Sequence, residues 1–146
     1  MNEPFYEFTI LDEAHRFDFV SVGKENIPKR IVYFTTRDPF VVTLTLGNPL
    51  ENGDLDVHSI DDNGDRNKIL ATVMQSIRIF LNFNPQTVVA FYGSSPSRTR
   101  LYKMVISREL NQLSDRYVIH GGNQDGVEIF SPKGEYDFFM ISRKNI

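Results

Sequence analysis

Residues 93 to 102, Gly-Ser-Ser-Pro-Ser-Arg-Thr-Arg-Leu-Tyr, gather the groups best suited to holding an anion. Gly93 permits close backbone approach, while Ser94, Ser95, Ser97 and Thr99 offer hydroxyls. Arg98 and Arg100 offer forked donors that match phosphate or carboxylate. Ser95 has the character of an N-cap and Pro96 that of a first helical residue, so a helix is expected to start here. Helix starts carry partial positive charge and unpaired N–H groups, so two arginines there call for something negative nearby. Two answers are open. One is a bound anionic ligand or acidic protein partner, with Tyr102, Asn63 and Asp65 completing the pocket. The other is an internal ion-pair network with Asp61, Asp62 or Asp65.

Charge along the chain keeps both answers alive. Residues 51 to 65 hold six carboxylates and no Lys or Arg, whereas residues 93 to 108 hold four basic residues and no carboxylate. The net charge of −3 and pI of 5.6 argue against nucleic acid as the partner. With no cysteine, disulfide scaffolds, Cys-ligated zinc, Fe–S clusters and thiol catalysis are excluded, and a reducing cytoplasm is the expected setting. The N-terminus lacks the basic start and apolar run of a signal peptide, and no apolar run is long enough for a membrane span.

Other chemistries fail on spacing. "DDNGD" at 61 to 65 looks like part of a calcium loop. Placing Gly64 at loop position 6, however, puts Leu70 at position 12, where a carboxylate is required. An Asn-Gly turn and an Asp N-cap explain the same residues, and no metal or cofactor is expected. His15, His58 and His120 are isolated. Ser94 and Ser95 lack the glycine pattern of a nucleophile elbow.

The elements that must position these residues are legible from periodicity. "FYEFTI", "RFDFVSVG", "RIVYFTT" and "FVVTLTLG" read as strands of an antiparallel meander, with turns at Lys24 to Pro28, Asp38-Pro39 and Gly47 to Pro49. The broken alternation of Phe17, Phe19 and Val22 suggests a bulge or a strand buried on both faces. A short fifth strand is expected in "DLDVHSI". Apolar residues from Ile69 to Leu81 recur at helical spacing, giving an amphipathic helix from Asp65 to Phe83 that Pro85 ends. "TVVAFY" reads as a central strand, residues 96 to 113 as a second helix, and "YVIHGG", "GVEIF" and "EYDFFMIS" as closing strands. The expected fold is α+β. A mostly antiparallel sheet with an N-terminal meander, then α-β-α and a C-terminal hairpin, carries two main helices in one domain over 1–146, with a phenylalanine-rich core.

Three stretches carry a family resemblance: "NGDRNKILATV" at 63 to 73, "GSSPSRTRLYKMVIS" at 93 to 107 and "YDFFMISRK" at 136 to 144. Over roughly the C-terminal 85 residues the chain resembles a family of small bacterial proteins, of Bacteroidetes type, known as a domain of unknown function. Its members share Asn-Gly-Asp, Ala-Thr-Val and Gly-Ser-x-x-x-Arg-Thr-Arg-Leu-Tyr. The element order is also similar to that of the GNAT acyltransferases, in which a β-meander precedes helix, strand, helix and strand. That likeness implies CoA binding at the first helix start, where this chain has one Gly and three carboxylates in "IDDNGDRN" in place of the family's glycine-rich loop.

Overall fold

The computed structural model describes residues 3–58 and 62–144. The chain forms two compact units, one from residues up to 34 together with 44–83, the other from 35–43 together with 84 onward.

The first unit opens with β1 (Thr9–Leu11) and β2 (Arg16–Val22), which pair antiparallel. Strand β2 then pairs antiparallel with β3 (Asn26–Thr35) in an unbroken register from Arg16↔Val32 to Val22↔Asn26. The expected bulge is therefore not there. Phe17, Phe19 and Ser21 all point inward, and the alternation only looked broken because the third inward residue is polar. The reversal between β2 and β3 is tighter than the Lys24 to Pro28 turn expected, because Gly23 N–H donates to the Glu25 carbonyl (3.1 Å) and pairing resumes at Asn26. Strand β1 starts at Thr9 and not at Phe5. The Tyr6 N–H turns away to the Thr72 hydroxyl (2.9 Å), which removes it from any ladder.

Strand β4 (Val41–Pro49) runs from the second unit into the first and pairs at its end with β5 (Leu55–Asp56), the short fifth strand. Residues 59 to 61, which include the last part of that expected strand and Asp61, lie outside the described residues. Helix α1 (Arg66–Phe83) buries an unbroken run from Leu70 to Ile77. Tyr33 lies flat on Phe80 at 4.3 Å and edge-on to Phe17 at 5.8 Å. Each fully buried aromatic of this kind contributes about 1.5–3 kcal/mol of transfer free energy.

The β1–β2 connection contains a tight turn over Asp12–Ala14 with φ of 51°, 55° and 67°. Three successive non-glycine residues in left-handed conformation cost on the order of 1–2 kcal/mol each. Ala14, 1% exposed, and the His15 ring, edge-on to Phe80 at 5.1 Å, hold the turn against α1.

The second unit is built on β6 (Val88–Phe91), α2 (Pro96–Leu113), β7 (Tyr117–Asn123), β8 (Gly126–Ile129) and β9 (Phe138–Arg143). The β4–β6 ladder is parallel, as a connection through a helix allows. The β6–β9, β7–β9 and β7–β8 ladders are antiparallel. Strand β9 begins at Phe138, later than expected. The Tyr136 ring is drawn onto Gly121, and its hydroxyl accepts from the Ser131 N–H (3.0 Å). Phe91, Phe139, Phe130 and Tyr136 cluster here, and Phe17, Phe80, Phe91 and Phe139 are among the largest fully buried side chains, as the phenylalanine-rich composition suggested.

The whole is an α+β fold whose sheet follows the order β1-β2-β3-β4-β6-β9-β7-β8. Among the described residues, no helix is long and apolar enough to cross a membrane.

Candidate functional site

The corner expected to hold an anion lies in the second unit, where β6 gives way to α2. Ser95 is extended (φ −148°, ψ 161°), and its Oγ accepts from the Arg98 N–H at 3.3 Å, so this hydroxyl serves as the N-cap. Pro96 follows at the helix start. Thr99 Oγ1 accepts from the Gly93 N–H (3.0 Å) and lies 3.2 Å from the Ser95 carbonyl, to which it donates. Gly93 is needed for this closeness. A Cβ there would lie 2.4 Å from the Thr99 nitrogen and 2.6 Å from the Arg98 backbone. The side of Gly93 on which a Cβ would stand is filled by the first turn of its own helix.

The other groups at this corner are Ser94, Arg98, Arg100 and Tyr102. Arg98 donates to the Ser94 Oγ (2.7 Å), and Arg100 donates to the Ser97 Oγ (3.3 Å). The two arginines do not converge, because residues two apart on a helix face opposite ways. Arg98 and Tyr102, four apart, share a face. Tyr102 is 7% exposed, and its ring meets Phe91 edge-on at 5.2 Å. Burial pushes the Tyr102 hydroxyl up to about 12, and the Arg98 charge acts on it in the opposite sense. No described residue hydrogen-bonds that hydroxyl, and its oxygen is not sealed from solvent. Arg98, Ser94 and the Tyr102 tip thus form a small polar group at the start of α2, whose first turn holds no acidic residue.

Asn63 and Asp65 belong to the first unit and have work of their own there. Asn63, 6% exposed, accepts from the Glu25 N–H (2.9 Å). Its amide nitrogen donates to the Glu25 carbonyl (2.9 Å) and to the Ser21 Oγ (2.9 Å). Ser21 in turn donates to the Asp65 carboxylate (2.5 Å), which also receives the Tyr6 hydroxyl. The Tyr6 hydroxyl accepts from the Val22 N–H (2.9 Å). The Asp65 carbonyl takes the Ile69 N–H at 3.0 Å, so Asp65 opens α1 with its backbone while its side chain faces Tyr6 and Ser21. Asn-Gly-Asp therefore ties the β2–β3 turn and the N-terminal segment to the start of α1. Sequence reasoning missed Tyr6, Ser21 and Thr72 as members of this network. The available signal was Ser21, a polar residue at an inward strand position.

Ion pairs are formed on β2 and β3 and late in α2. Asp18 is gripped by Arg16 (2.7 Å) and Arg30 (3.0 Å) across β2 and β3. Arg108 lies 3.7 Å from Glu109.

Compared with known proteins, residues 2–144 match a family of unknown function, DUF6934. No curated protein matches, and no solved structure matches.

Proposed function

We propose that this chain, which belongs to the DUF6934 family of unknown function, is a binding module that takes an anionic ligand or an acidic partner group at the start of α2. The observation that carries the reading is the Arg98–Tyr102 pair. A tyrosine buried along its ring presents an unbonded hydroxyl beside a guanidinium, with the Ser94 hydroxyl on the same guanidinium. A carboxylate or phosphate oxygen accepts from all three donors, and charge-assisted bonds of this kind are the strong ones. Arg100, exposed on the other flank, adds long-range attraction.

The test is titration of inorganic phosphate and a simple carboxylate, followed by NMR of the Arg side chains. Arg98→Gln is expected to weaken binding about tenfold or more with little change in melting temperature. Tyr102→Phe is expected to weaken it by less. Should Arg98→Gln instead lower the melting temperature and make stability less dependent on salt, the arginine is an internal ion-pair partner and the chain is a structural or interaction module.

A degenerate GNAT-like acyltransferase is the second reading. It draws on the element order β1 to β4, α1, β6, α2, β7 and on Tyr102 lying in the second of the two helices. Asn63 and Asp65, at the loop where CoA would be held in that superfamily, spend their side chains on Glu25, Ser21 and Tyr6. A thermal shift with millimolar CoA species tests it, and no shift counts against it.

A further inference from the structure

Strand β8 is the last strand of the sheet order, and all four of its residues are exposed. Its register on β7 is His120↔Ile129, Gly121↔Glu128, Gly122↔Val127 and Asn123↔Gly126. Two bonds fix which backbone groups that ladder uses. The Ile119 carbonyl accepts from the Phe130 N–H (2.9 Å), on the β8 side, while the Gly122 carbonyl accepts from the Asp137 N–H (2.7 Å), on the β9 side. Antiparallel neighbours alternate, so Gly121 exchanges its bonds with Glu128, and Val127 and Ile129 turn their N–H and C=O groups outward. The edge therefore offers two donors and two acceptors in a row, flanked by side chains that are 51% and 65% exposed.

Both faces of this edge are prepared by aromatic rings. Phe138 lies over Gly122, where a Cβ would meet its ring at 2.2 Å, on the face that carries Val127. Tyr136 lies over Gly121, where a Cβ would meet its ring at 2.5 Å, on the face that carries Glu128. The Tyr136 hydroxyl donates to Glu128 (2.9 Å) and holds the carboxylate beside the open edge. Residues 123 to 137 contain four carboxylates and one lysine, so the surroundings are acidic.

We propose that β8 is a docking edge for an extended segment of a partner protein with apolar-basic-apolar alternation. The segment would add a strand through the outward groups of Val127 and Ile129. Its apolar side chains would pack beside those residues, and its basic side chain would face Glu128. A second copy of β8 fits poorly. The two-fold register that pairs Val127 with Ile129 of the other copy sets Glu128 opposite Glu128, a like-charge pair that opposes the ladder. Centring the pairing on Val127 puts Ile129 against Asp125 in the hairpin turn. Centring it on Ile129 puts Val127 against Ser131, beyond the strand and next to Pro132. Glu128 thus works against self-pairing and for a basic partner.

The experiment uses the full chain, 15N-labelled, and two capped synthetic peptides that differ only at the centre, Val-Lys-Val and Val-Glu-Val. The lysine peptide is expected to shift the Val127 and Ile129 amides, slow their exchange with solvent, and bind about five-fold tighter than the glutamate peptide. Glu128→Lys is expected to reverse that preference. Val127→Pro removes an outward N–H without touching the β7 ladder and is expected to abolish the protection; if that variant does not fold, the charge reversal still decides. Three results overturn the proposal. Neither peptide affects these amides; both bind equally; or the free protein self-associates with concentration while the same two amides become protected, which makes a second copy the occupant.

Discussion

Replacing Asn63 with Ala is expected to destabilise the protein by about 2–4 kcal/mol, because one buried amide serves the Glu25 N–H, the Glu25 carbonyl and the Ser21 hydroxyl at once. The urea midpoint should fall with an unchanged slope. Asn63→Asp should do worse than the loss of its two donated bonds suggests. Ser21 already gives its only proton to Asp65, so a new carboxylate facing its oxygen has nothing to accept. The same logic makes Thr72 more than a helix filler. Its hydroxyl accepts the Tyr6 N–H (2.9 Å) and donates to the Lys68 carbonyl (2.7 Å). Asn63 was singled out from sequence for a ligand pocket; its residue type and turn position were informative, but its partners come from a strand about 40 residues earlier.

At the scale of elements, two predictions concern backbone geometry. Gly93→Ala is expected to cost about 1–3 kcal/mol, because the new methyl meets the Thr99 nitrogen and the Arg98 backbone and must push the first turn of α2 away from β6. It should also weaken the anion binding proposed for this corner, since Arg98 moves with that turn. Glu13→Gly goes the other way. Glu13 is exposed at φ 55°, and glycine there should raise the thermal midpoint, a gain of about 0.5–1 kcal/mol. The β2–β3 pair carries a third expectation. Asp18 is held below the usual carboxylate range, first by the Arg16 hydrogen bond and then by Arg30. A depressed carboxyl stabilises the fold above the unfolded value near 4 and loses that contribution as pH falls through the folded one. Asp18→Asn should therefore flatten the acid side of the stability profile and, because the pair is partly exposed, cost no more than about 1 kcal/mol at neutral pH.

For the whole molecule the alkaline side is more telling. Burial raises Tyr102 to about 12, and burial, with a neighbouring carboxylate, also raises Tyr6 and Tyr136. A raised group stabilises fully below its unfolded value near 10 and loses that stabilisation as pH climbs through the folded value. Stability should therefore decline between pH about 10 and about 12, in step with tyrosinate absorbance, and Tyr102→Phe should make the decline shallower.

Local signals carried far. Ser95 and Pro96 mark the start of α2, the apolar period marks α1, and the strands fall close to where β-branched and aromatic residues cluster, because capping, periodicity and alternation act over a few residues. The phenylalanine-rich core and the α+β class follow from the same patterns. Pairing over long sequence separations belongs to tertiary structure alone. It decided that Asn-Gly-Asp clamps a distant strand turn and that β8 ends the sheet with its backbone turned outward. A polar side chain's sequence neighbours set its chemistry; only the folded chain sets which donors and acceptors reach it.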